Sequence, residues 1–81
     1  MNNSVEKSIG KNIRHLREKA NLTQEQLAAK LQVSGCDITR SALAKIEVGQ
    51  RHIYVDEIIL IKNILNVSFE QLLRCIDIHT K

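Results

Sequence analysis

The sequence predicts a small all-α domain of five helices, on three observations. Apolar residues recur at steps of three and four along most of the chain, the spacing that places them on one face of a helix. Two stretches, 23–26 and 68–71, carry a hydroxyl followed three residues later by a glutamine, the pattern of a helix start. The chain has no Pro, three Gly, one Tyr and one Phe among 43% apolar residues, so its core must come from Leu, Ile, Val and Ala rather than from an aromatic-rich sheet. Its 81 residues suffice for one domain, expected over 1–81 with a core over about 5–76, and leave no room for a separate catalytic domain.

Val5, Ile9, Ile13 and Leu16 form the apolar stripe of a first helix over about 5–19, with Ser4 or Ser8 as its cap. Asn21 suits the left-handed exit, and Leu22 drops back toward the core. Thr23 and Gln26 open a second helix whose stripe is Leu27, Ala28 and Leu31, with Val33 expected to anchor the chain as it leaves. The stretch QVSGCDIT shows no helical period and reads as an exposed turn over 32–39. Thr39 then caps a third helix with Ala42, Leu43 and Ile46 inward, ended by Gly49. Asp56 is the expected cap of a fourth helix carrying Ile58, Ile61, Ile64 and Leu65, which Asn66 ends. Ser68 and Gln71 open a short fifth helix through Leu72, Leu73 and Ile76.

Charge is unevenly spread. Residues 1–52 hold nine Lys or Arg against five Asp or Glu, a balance of +4, whereas residues 53–81 hold three against four, a balance of −1. A polyanionic partner would therefore meet the first two-thirds of the chain. Cys36 and Cys75 stand in no C-x-x-C pattern, so neither a zinc site nor a redox motif is suggested, and buried or half-buried free thiols are expected. The longest apolar run is 58–61 and the start MNNSVEKSIG has no apolar stretch, so no membrane span, no signal peptide and a cytoplasmic location are expected.

Two short helices joined by a turn, the second opening with small polar and basic side chains, can present that second helix to the major groove of DNA. The segments LTQEQLAAKLQVS, SALAKIEVGQR and EIILIKNILNVSFEQLL resemble the Cro and cI repressor helix-turn-helix family, also called the XRE family, over about residues 9–73. The matching pattern is L-T-Q-x-x-L-A at 22–28, I-E-x-G at 46–49 and V-S-x-x-x-L-L at 67–73. The departure is GCDIT, which makes the connection before the recognition helix about five residues longer than the usual one.

The resemblance implies a compact lambda-repressor-like fold with its helix-turn-helix over about 23–48, and a transcriptional regulator, specifically a repressor, of double-stranded DNA. It implies that Arg40, Ser41, Ala44 and Lys45 face the bases, where Arg40 or Lys45 can donate to guanine and Ala44 can touch a thymine methyl. Gln24, Thr39, Gln50 and Arg51 are the implied phosphate contacts, with Lys11 and Arg14 weaker candidates. Arg17 and Glu47 match a pair with a structural role. The family commonly acts as homodimers, here expected through the carboxy-terminal third.

No catalytic residues, metal or cofactor are expected: His15, His52 and His79 are scattered, and no acidic pair stands at a convincing catalytic spacing. Tyr54 and Phe69 are too few to stack single-stranded bases. The other reading is an antitoxin-like protein-interaction module on the same fold, motivated by Ile59 and Leu60, one of which must face outward if Ile58 and Ile61 face inward.

Overall fold

The computed structural model describes residues 3–74, which form five helices in order: α1 Asn3–Lys19, α2 Gln24–Val33, α3 Arg40–Glu47, α4 Val55–Leu65 and α5 Phe69–Leu73. They enclose a single core of Ile13, Leu16, Leu27, Ala28, Leu31, Leu43, Ile46, Ile61, Leu65 and Leu72, joined by Cys36 and Ile38. The stripes drawn from the sequence supply most of it. Ile76 and Cys75 lie outside the described residues.

The helix exits share one device. Asn21, Gly35, Gly49 and Asn66 all have positive φ, at 61°, 93°, 79° and 57°. Each turns the chain so that the next N–H donates five residues back, as Leu22 does to Arg17 (3.1 Å), Cys36 to Leu31 (2.9 Å), Gln50 to Lys45 (2.8 Å) and Val67 to Lys62 (3.2 Å). These bonds close carbonyls that would otherwise end the helices unpaired. Asn12 does the same for α5 from a distance, its Nδ2 donating to the carbonyls of Leu72 (3.0 Å) and Arg74 (2.7 Å).

Four local expectations are corrected. Helix α1 already runs from Asn3, so Ser4 and Ser8 lie inside it instead of capping it. Val33 anchors nothing and is 89% exposed, because α2 continues to that residue and turns it outward. The N-cap of α4 is Tyr54, not Asp56, and the Glu57 carboxylate reaches back to accept from the Tyr54 N–H at 3.0 Å. The long connection is not simply exposed, since Cys36 and Ile38 are buried while Gly35, Asp37 and Thr39 point outward. This is the two-residue alternation of an extended strand, so the inserted residues contribute to the core. Burial chiefly pushes the Cys36 thiol above its ordinary 9.0, against a backbone hydrogen bond at Ile38, so it stays a neutral thiol at neutral pH.

Helix α3 packs against both α1 and α2. Gly10 is buried against its end, where a Cβ would lie 2.3 Å from the Ile46 carbonyl oxygen and 2.7 Å from that of Glu47. Both neighbours are backbone and cannot swing aside, so only glycine permits this crossing.

Candidate nucleic-acid interface

Helix α3 begins where the Thr39 hydroxyl oxygen accepts from the Ala42 N–H at 3.1 Å. Leu43, Ile46 and Glu47 are buried, which turns Arg40, Ser41 and Lys45 to solvent with Ala44 half-buried between them. The side chains of Arg40, Ser41 and Lys45 form no hydrogen bond or ion pair among the described residues. A short helix thus offers two cations and a hydroxyl on one outward face.

Helix α2 starts beside it. Thr23 and Gln26 bond reciprocally, the Thr23 hydroxyl oxygen accepting from the Gln26 N–H at 3.0 Å and the Thr23 N–H donating to Gln26 Oε1 at 2.8 Å. Arg14, Thr23, Gln24, Glu25 and Arg40 line one shallow depression of about 620 Å³ at the starts of α2 and α3, in which Arg14 pairs with Glu18 at 3.3 Å and Arg40 is the cation without a protein partner among the described residues. The N-terminal end of α2 adds the positive pole of its backbone dipoles there.

Behind this surface lies a buried polar knot. Arg17 Nε donates to Glu47 Oε2 at 2.7 Å and its Nη2 to Oε1 at 3.2 Å, while Nη1 donates to the Leu22 carbonyl at 2.7 Å. Their side chains are only 9% and 1% exposed. The Gln24 amide completes the knot, donating to Glu47 Oε1 at 2.9 Å. Gln24, expected only as a phosphate ligand, therefore also ties the start of α2 to the end of α3.

Of the remaining expected phosphate contacts, Gln50 is exposed just after α3, and Thr39 keeps its hydroxyl hydrogen for donation while its oxygen caps the helix. Arg51 is engaged elsewhere. Its Nη1 and Nη2 fork onto Glu57 at 3.1 and 3.2 Å, Nη1 also donates to the His52 carbonyl at 2.8 Å, and the guanidinium lies 5.8 Å from the Tyr54 ring centre. Burial raises the Glu57 carboxyl, but the Arg51 fork, the Tyr54 N–H and the Arg51 charge together hold it below its ordinary value. Arg51 itself is held above its ordinary value, chiefly by the same bonds to Glu57. His52 Nδ1 meets Glu6 Oε2, which ties the loop after α3 back to α1.

The helix-turn-helix family model matches residues 13–72. The chain belongs to the helix-turn-helix family. Within it, this XRE-type helix-turn-helix protein is 34% identical over 74 residues to "Control protein C.BamHI" of Bacillus amyloliquefaciens, a match covering 90% of this chain and 85% of that one. Its backbone superposes on the crystal structure of the DNA-binding domain of BldD with a TM-score of 0.76 at 19% identity, over 91% of this chain and 100% of that one. The second likeness is one of fold. The family is one of DNA-binding regulators, and the match runs from within α1 to within α5.

Three residues that position the helix-turn-helix surface were not singled out from the sequence. Gly10 sits inside an otherwise regular amphipathic stretch, where an isolated glycine points to close packing. Glu57 stands three residues after Tyr54, the position from which an acid reaches back to a helix start. Glu6 meets its histidine across 46 residues, and no local pattern announces that contact.

Proposed function

We propose that this protein is a sequence-specific regulator of transcription, acting in the cytoplasm as a repressor, that binds double-stranded DNA as a two-fold dimer with α3 in the major groove. The observation that carries the reading is the outward face of α3, where Arg40, Ser41 and Lys45 are free of protein partners beside the capped start of α2. Arg40 and Lys45 donate to guanine O6 and N7, Ser41 serves a base or phosphate, and Ala44 meets a thymine methyl. The α2 backbone start with Gln24, the Thr39 hydroxyl and Gln50 hold phosphates, and the two guanidinium N–H groups of Arg51 not committed to Glu57 and His52 add a further donor edge. The relative named as a control protein is consistent with a regulatory role.

One eight-residue helix reads few base pairs, which favours two copies on half-sites about one helical turn apart. Tyr54, Val55, Ile59, Phe69 and Leu73 are exposed apolar side chains on α4, α5 and the residue before α4, and they support dimerisation through the carboxy-terminal third. The same residues favour the second reading, a surface for a different protein.

Selection of duplexes from a random library tests the proposal. The expected result is an enriched inverted repeat, with Arg40→Ala and Lys45→Ala each relaxing choice at one position per half-site at a loss of about 1–3 kcal/mol on the preferred duplex and little loss on random DNA. Absence of any enriched duplex, with a tightly bound protein co-purifying instead, overturns it in favour of the interaction module.

A further inference from the structure

The connection before α3 displays an acid that the fold does not use. Asp37 is exposed and has no hydrogen bond or ion pair among the described residues. Its neighbours Cys36 and Ile38 are 9% and 1% exposed, so Asp37 and Thr39 are turned outward together. The backbone that carries it is braced at both ends. The Cys36 N–H donates to the Leu31 carbonyl at 2.9 Å, Gln32 Nε2 donates to the Ile38 carbonyl at 2.9 Å, and Thr39 closes onto Ala42 at 3.1 Å.

Helix stabilisation does not account for the carboxylate. Thr39 already caps α3, and the favourable interaction of an acid with helix dipoles fades outside the first turn. Asp37 instead stands two residues before the cap of a helix whose outward face is basic. With α3 in the major groove, an unpaired carboxylate at that place is repelled by phosphates on every duplex unless a base supplies a donor. The donors in the groove are the exocyclic amines, and cytosine N4 is the one a carboxylate pairs with.

We infer that Asp37 is a specificity-determining residue that accepts a hydrogen bond from the N4 amine of a cytosine at the edge of each half-site. This rests on the reading of α3 as the major-groove helix. The inserted residues then do more than lengthen a turn: they add one reading position ahead of those of Arg40 and Lys45.

The test compares the full chain with Asp37→Ala and Asp37→Asn in selection from a random duplex library, alongside affinity for random duplex and melting temperature. Both variants are expected to melt as the wild type does. Asp37→Ala is expected to lower the preference for one cytosine per half-site by roughly five- to 150-fold, the equivalent of a lost base contact, and to leave the Arg40 and Lys45 positions as they were. Asp37→Asn is expected to move that position toward adenine, which offers an amine and an acceptor side by side to an amide. Unchanged preferences at every position, or a uniform gain of affinity on all sequences in both variants, overturn the assignment while leaving the α3 reading intact. A wild-type chain that enriches no duplex removes the α3 reading and Asp37 with it.

Discussion

Arg17 and Glu47 are unequal partners, although each completes the other's charge. If Glu47 is removed, Arg17 keeps the Leu22 carbonyl and has 9% of its side chain at the surface. If Arg17 is removed, a carboxylate with 1% exposure keeps only the neutral Gln24 amide. Stranding one member of a buried pair costs about 3–5 kcal/mol, so Arg17→Ala is expected near the upper end, Glu47→Ala below it, and the double variant at less than their sum in denaturant unfolding. Glu57 gives a pH-dependent counterpart. Its folded pKa lies below the ordinary 4.5, so the stabilisation from Arg51 is complete above the unfolded value and disappears as the pH falls through the lower folded one. The melting-temperature gap between wild type and Glu57→Gln is expected to be steady near neutrality and to narrow below about pH 4.5. The Arg17–Glu47 contact had a sequence counterpart only through family resemblance, whereas Gln24 looked like a surface residue. An amide that can face either a phosphate or a buried carboxylate leaves the same mark in a sequence.

Among the elements, the connection at 34–39 separates what was legible from what was not. Caps at Thr23, Thr39 and Ser68 were visible because a short hydroxyl side chain acts within three residues of itself. The burial of Ile38 was hidden by the Ser, Gly and Asp before it, which suggest an exposed turn, although Cys36 was expected as a buried or half-buried thiol and the two-residue step was there to be seen. Ile38 is 1% exposed, and Ile38→Ala is expected to cost about 2–5 kcal/mol in unfolding free energy. It is also expected to reduce specific DNA binding at temperatures where the domain stays folded, because the segment leading into Thr39 loses its anchor. A stability loss under about 0.5 kcal/mol, as for an ordinary surface site, would show that the segment is not anchored.

At the scale of the molecule, the +4 and −1 halves of the sequence become two kinds of surface. Arg14 of α1 and Arg40 at the start of α3 flank the start of α2, while α4 and α5 carry the exposed apolar residues from Val55 to Leu73. With roughly four to eight phosphates met by a dimer, log affinity is expected to fall against log salt with a slope of about −4 to −7. A slope near zero in a fluorescence titration would exclude the basic surface as the docking face. Arg51 favours the lower end, since Glu57 offsets its charge. That Arg40, Ser41 and Lys45 share the outward face of α3 followed from local helix patterning, and the reading role proposed for them from the family resemblance. The support of that face by Gly10, Arg51 and Glu6 did not, because those contacts join residues far apart in the chain.

The missing Cβ at Gly10 bears on how such a chain can change. Because α1 grips α3 at the backbone of Ile46 and Glu47, α3 is held from its exit and needs no short tether at its entry. Residues can be added ahead of Thr39 while the helix stays seated, provided the added stretch returns an apolar side chain to the core, as Cys36 and Ile38 do. The entry is thus the place where the protein can acquire new surface without rebuilding the domain, while Gly10 must stay a glycine for α3 to keep its seat.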